Sequence, residues 1–154
     1  MERWRMKQRV WLIVVVLILL GLSFPLINLV VPVPVRDSFR NLPTASATEA
    51  AAKAILEVKC VMCHMEDPGL PFYAKFPIAS SLMRRHVTDG TAIWNAQRLL
   101  EQHGADEVAM AKLEQSVELS TMPILPYLAM HWNATLSQAE QQTLLAWVHE
   151  VRTQ

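Results

Sequence analysis

Cys60-Val61-Met62-Cys63-His64 reads as C-x-x-C-H, the pattern through which a chain carries a covalent c-type haem. Each residue has a chemical task. The two thiols form thioethers with the haem vinyl groups, and the histidine beside the second thiol reaches the iron from the proximal side. Cys60 and Cys63 are the only two cysteines in the sequence, so one haem is the limit. A structural zinc site needs about four ligands, usually in paired Cys/His clusters, and a thioredoxin-like pair needs a βαβ setting. Neither is present around residues 60–64.

Outward from the motif the pattern is helical. Ser46-Ala-Thr-Glu49 is a capping box, followed by Ala50–Ala52, Ala54–Leu56 and Val58, so a first helix runs into the motif and ends near Cys60. Met65–Pro77, with Pro and Gly69, reads as loop. The spacing then predicts a short helix over Ile78–His86 stopped by Gly90, another over Ile93–Gln102 stopped by Gly104, and another over Asp106–Leu119. Thr121–Trp132 begins irregularly at Pro123 and Pro126. Ser137-Gln-Ala-Glu140 opens a last helix with Leu144, Leu145, Trp147 and Val148 on one face. Strand signals are confined to the first 35 residues. The fold class is therefore all-α: a small cytochrome c-like helical domain over residues 46–154 around one covalent haem, which enlarges a core that is marginal at this size.

The other end of the chain places that domain. Arg3, Arg5, Lys7 and Arg9 make residues 1–9 basic, and Val10–Leu22 carries no charge, with apolar residues recurring to Val31. A helix over residues 10–31 is about 33 Å long, enough for a bilayer core of about 30 Å. The basic flank stays cytoplasmic, which puts the haem domain in the bacterial periplasm on a single-pass inner-membrane anchor. Ala45-Ser46-Ala47 has the form of a signal-peptide cleavage site, but the apolar run is longer than the 7–15 residues of a signal core. Residues 32–45, with Val31-Pro-Val-Pro-Val35, read as a stiff Pro-rich tether. The first nine residues hold four of the fourteen basic groups and one of the fourteen acids. The remainder is mildly acidic, which excludes nucleic acid as a partner.

The second iron ligand is less directly written. Met65 adjoins His64 and cannot reach the other haem face, and Met110 sits in a helical pattern, where methionine fills gaps. Met83 and Met130 have no special setting. His103 and His149 lie on polar helix faces. Met122, in Ser120-Thr-Met-Pro-Ile-Leu-Pro126, is presented from a loop stiffened by proline and is the leading distal ligand. His131 is the alternative ligand, or a hydrogen-bond donor to a haem propionate, and His86 follows. Trp94, Trp132 and Trp147 read as core rather than interface anchors.

These residues resemble a known family. Cys60–His64, Leu70-Pro-Phe-Tyr73, Phe76-Pro77, Thr121-Met-Pro123, Tyr127, His131-Trp132, Leu136-Ser137 and Ala146-Trp147 resemble the N-terminal haem domain of membrane-anchored trihaem quinol peroxidases, relatives of bacterial cytochrome c peroxidase. They are also similar to the stand-alone bacterial haem-binding domains. The resemblance implies a point of electron entry from the quinol pool towards a partner haem, with His64 proximal and Met122 distal. A dihaem peroxidase part has no counterpart in this sequence, so peroxidase activity is not implied.

The expected function is single-electron transfer between a quinol-linked donor and a haem partner, as a free carrier or as a subunit of a larger respiratory complex rather than an enzyme on its own. The alternative is a haem sensor or peroxidase-type site with an open distal position, for which His86 beside Arg84 and Arg85 is the suggestive group.

Overall fold

The computed structural model describes residues 2–153, with side chains from Trp4 onward; the side chain of Arg3, part of the basic flank, lies outside the described residues. Every regular element among them is helical. α1 runs Glu2–Val30, eight residues earlier than the apolar run alone predicts, because Glu2–Arg9 consists largely of straight-chain helix formers with nothing to stop the helix. Trp4–Val30 is long and apolar enough to cross a membrane. The C-terminal end of α1 is docked on the rest of the chain. Pro25 and Asn28 are buried, the Asn28 amide donates to the Met130 carbonyl at 2.8 Å, and Phe24 stacks on Phe72 at 6.2 Å.

The segment expected to be a stiff tether packs on the domain. Residues 32–35 are extended, as the prolines dictate, but α2, Asp37–Arg40, follows, and Phe39 is fully buried in the main core with Val35 and Leu42 packed against it. Lys53 Nζ donates to the Arg40 and Leu42 carbonyls at 2.6 and 2.5 Å. A side chain at Gly69 would overlap the Pro34 carbonyl, so the segment lies flush on the loop after the haem motif. The physical reason is that Val33, Val35, Phe39 and Leu42 are apolar and pack on the domain, and burying them is worth about 25 cal/mol per Å². Phe39→Ala should therefore cost about 3–5 kcal/mol, read as a lower thermal unfolding midpoint of the detergent-solubilised chain. A free tether would leave the midpoint unchanged.

α3, Ala47–Lys59, begins at the expected cap, where Ser46 Oγ accepts from Glu49 N–H at 3.0 Å. The reciprocal half of the box is redirected. The buried Glu49 carboxylate takes the Ala45 N–H and faces His103 Nδ1 at 3.1 Å. α4, Val61–His64, carries the C-x-x-C-H motif, and a 3-10 turn at Phe72–Lys75 interrupts the predicted loop. α5 runs Pro77–Ile93, so Gly90 lies inside a helix and does not end one. The next helix is shorter than expected. Trp94 and Asn95 are extended, and Asn95 caps α6, Ala96–Glu101, by accepting from Arg98 N–H. α7, Glu107–Glu118, starts at the Asp106 cap; α8 is Leu125–Met130, followed by a 3-10 turn at Trp132–Ala134. α9, Gln138–Arg152, has the complete Ser137/Glu140 capping box.

α3 and α7 pack against α9, and α4 lies between α5 and α6. Leu56, Leu100, Met110, Leu113, Leu144 and Trp147 form the centre of this core. A second cluster, with Met62, Tyr73, Met83 and Tyr127, joins the motif to the end of α1. Trp94 and Trp147 are buried as expected, whereas Trp132 is 46% exposed.

Candidate haem site

α3 delivers Cys60 at its C-terminal end, and α4 holds the motif in one helical turn, with Cys63 and His64 N–H groups both donating to the Cys60 carbonyl. α5 crosses directly against it. Gly90 touches the Cys63 backbone so closely that a Cβ would stand 3.0 Å from the Cys63 carbonyl carbon. His64 is buried and its Nδ1 lies 3.1 Å from the Trp94 carbonyl. Donation of Nδ1–H to that carbonyl fixes the tautomer and leaves Nε2 with its lone pair for a metal, the arrangement that orients histidine ligands. The Trp94 indole stacks on the imidazole at 4.0 Å and 17°. Burial lowers the His64 pKa, which favours the neutral, ligating form.

Cys60, Cys63 and His64 line a cavity of about 490 Å³, within the range of about 300–1,000 Å³ usual for ligand and cofactor sites. Its walls are apolar: Ile93, Leu113, Val117, Ile124, Leu136 and Leu144. α5 contributes Leu82, Arg85, His86, Asp89, Gly90 and Ile93, the spacing of a single helix face. Met122 and Pro123, joined by a cis peptide bond in the loop before α8, line the same cavity.

The residues fit a haem. An apolar chamber of this size opens onto two thiols and one neutral imidazole nitrogen. Burial pushes the Cys60 thiol up to about 12 and the Cys63 thiol up to about 11, the reverse of the depressed values of redox-active or metal-binding thiolates. Trp94 Nε1 is the one buried side-chain donor without an acceptor among the described residues, and Trp94 lines this cavity. A haem propionate is the kind of acceptor such a donor lacks.

Of the nine distal-ligand candidates, the structure brings Met122 and His86 to the cavity with His64. Met65 and Met110 are buried in the main core, and Met83 in the second cluster with Met130 packed on it. His103 is half-exposed beside Glu49.

His131, the alternative ligand or propionate partner of the sequence reading, is not brought to the haem cavity. It is buried, its Nε2 lies 2.6 Å from the Tyr73 hydroxyl, and its ring stacks on Tyr127 at 4.3 Å. It lines a separate, smaller cavity. Tyr127, whose ring separates it from the haem chamber, lines both. Burial lowers the His131 pKa to about 4. The unfolded chain then binds one more proton than the folded chain between that value and about 6.5, so stability falls as pH drops through this window, by up to ~1.4 kcal/mol per pH unit. Denaturant titrations at neutral pH and near pH 4.5 should show this loss, and His131→Gln should flatten it.

Sequence reasoning missed Trp94 and Gly90 as site residues. The signal for Trp94 was Asn95, a helix-cap residue whose own extended backbone starts a new helix directly after Trp94. Gly90 had none, since its partner is the backbone of a residue 27 positions earlier.

The haem-binding domain family matches residues 25–150, which includes the docked end of α1, the segment 32–45 and the whole site. The cytochrome c peroxidase Ccp of Escherichia coli (strain K12) is 29% identical over 102 residues, 64% of this chain and 22% of that protein; the chain thus spans less than a quarter of that relative's length. No solved structure matches the chain. With a match over most of its length, including every residue that builds the cavity, the chain belongs to the haem-binding domain family.

Proposed function

We propose that the chain is a membrane-anchored c-type cytochrome that passes single electrons between a quinol-linked donor and a haem partner, alone or as a subunit of a respiratory complex. The observation that carries this reading is that Met122, the two thiols and His64 line one apolar cavity. Cys60 and Cys63 would hold a single haem c covalently, with His64 and Met122 as its protein ligands. The haem, once bound, supplies a reversible one-electron couple whose potential methionine ligation raises.

The chain's own residues do the rest. Trp94 orients the His64 ring by stacking and through its carbonyl. Leu113, Val117 and Leu144 line the chamber with apolar side chains. With two protein ligands, no iron position is left for a substrate, which favours a relay over a sensor or a peroxidase-type site.

α1 would cross the bacterial inner membrane with its basic end in the cytoplasm, leaving the haem domain in the periplasm. Cleavage at Ala45-Ser46-Ala47 would strip away buried Phe39 and Asn28, so retention of α1 as an anchor is the consistent reading. The test is carbon monoxide binding to the reduced, detergent-solubilised chain. A spectrum unchanged by the gas is expected; rapid formation of a carbonyl adduct would favour the open distal site, with His86 as its neighbour.

A further inference from the structure

Taken as the anchor proposed above, α1 meets the domain at a definite depth in the bilayer. Arg9 is its last charged residue, and about 20 residues of helix cross a bilayer core of about 30 Å. Counted from Val10, that core extends to Leu29. The contacts of α1 with the domain, Phe24 on Phe72 and Asn28 on the Met130 carbonyl, therefore stand at the level of the leaflet farther from the basic end. There α1 is two-sided. Phe24 and Asn28 touch the domain, whereas Leu26, Ile27, Leu29 and Val30 are exposed and belong in lipid. The domain surface beside these contacts meets the same leaflet.

Two stretches build that surface, one carrying Phe72 and one carrying Met130, joined through Tyr73, Met83 and Tyr127 in the second cluster. Both expose large apolar side chains. Phe76, Ile78 and Leu82 are exposed around the start of α5, Ile78 to 87%, and Leu125 at the start of α8 to 79%. Phe76 is tied to the Phe72 turn, since its N–H donates to the Tyr73 carbonyl at 3.1 Å. Both stretches also lack carboxylates. Residues 68–88 hold Lys75, Arg84 and Arg85 but no acid, and residues 119–139 hold no Asp, Glu, Lys or Arg. Every carboxylate of a mildly acidic domain lies elsewhere. Arg85 pairs with Asp89 at 3.6 Å, while Arg84 donates to the Ser80 hydroxyl and Lys75 is exposed.

We propose that this face rests on the surface of the bilayer that α1 crosses, with Phe76, Ile78, Leu82 and Leu125 at the headgroup boundary and Lys75 and Arg84 at anionic phospholipid headgroups. Apolar side chains flanked by cations are the composition of an interfacial contact, and an anionic leaflet attracts basic groups held close to it. A protein partner would also cover an exposed apolar face, but it would not account for the depth of the α1 contacts. Leu82 also lines the haem cavity, so docking turns that side of the cavity towards the bilayer. The proposal rests on the anchor reading of α1, and its test separates the two.

The full haem-loaded chain is reconstituted in nanodiscs of mixed phosphatidylglycerol and phosphatidylcholine, with and without a lipid that carries a gadolinium chelate on its headgroup. Methyl resonances then report the relaxation that gadolinium adds, and the difference between the two samples removes the contribution of the haem iron. The Ile78 and Leu125 methyls should gain severalfold more than those of Val108, which is exposed on α7. Phe76→Ser combined with Ile78→Glu, both at exposed positions, should lower the gain at Leu125 severalfold. An unaltered haem absorption spectrum shows that this variant is folded. Nanodiscs of phosphatidylcholine alone should lower the gain at both methyls as well. A gain at Ile78 and Leu125 no greater than at Val108, in a chain that co-elutes with the nanodiscs, overturns the proposal and leaves the anchor reading standing; it is the result expected if a protein covers the face. An unchanged gain at Leu125 in the folded variant overturns it too, and equal gains in both lipids overturn the assignment to anionic headgroups. A chain that elutes apart from the nanodiscs overturns the anchor reading and this proposal with it.

Discussion

Gly90→Ala is expected to lower the unfolding midpoint of the haem-loaded chain by several degrees, although alanine is the better helix former. Gly90 lies within α5, where the exchange gains about 1 kcal/mol of helix propensity. Against that, the new Cβ would press into the Cys63 carbonyl, 3.0 Å from its carbon and closer still to its oxygen. The obstacle is backbone, held by the α4 hydrogen bonds, so it does not swing aside as a flexible side chain would. Overpacking of this kind costs about 1–3 kcal/mol, occasionally more. A helix displaced from α4 also shifts the motif, so the effect belongs at the upper end. A net loss of about 2 kcal/mol corresponds to roughly 4–8 °C for a chain of this size. Calorimetry on the solubilised protein measures it. Gly21→Ala is the control, since nothing lies within 4 Å of a Cβ there; its midpoint should not fall. A stabilised Gly90→Ala chain would mean that α5 does not rest on the motif.

Replacing both cysteines, Cys60→Ala with Cys63→Ala, should convert a permanent cofactor into an exchangeable one. In the parent chain the denatured polypeptide should keep its haem colour through acidified organic extraction; in the variant the colour should partition away from the protein. The energetic consequence follows from effective concentration. A tethered group faces its site at about millimolar effective concentration, whereas an untethered one at about 10 μM is about a hundredfold more dilute, a loss of roughly 2.7 kcal/mol. The variant's midpoint should therefore depend on added haem, and the parent's should not. Retention of colour by the double variant would rule out thioether attachment.

What could be read from the chain beforehand was whatever local chemistry determines. The Ser46 and Ser137 caps, the helix they open at each end of the domain, and the motif between them depend on neighbours within four residues, and each stands where the pattern put it. The apolar run of α1 is likewise a local property. Three features needed distant partners. Phe39 looked like part of a tether because its core neighbours, Leu56 and Trp147, are far along the chain. Gly90 looked like a stop because a glycine serving close approach of two backbones has the same letter as one ending a helix. His131 stood as the alternative ligand or propionate partner because nothing local marks its real partner; the Tyr73 hydroxyl that holds it comes from a 3-10 turn 58 residues earlier. Met122 was legible as the leading candidate because its proline neighbour is adjacent, and the fold adds that it lines the cavity while Met83, Met110 and Met130 do not.

The most direct test of a His64/Met122 haem is the absorption of the oxidised protein in the region of the methionine sulfur-to-iron charge-transfer band, recorded for the parent chain, Met122→Ala and His86→Ala. The band should be present in the parent and in His86→Ala and absent from Met122→Ala. Its persistence in Met122→Ala, or its absence from the parent, would contradict the account.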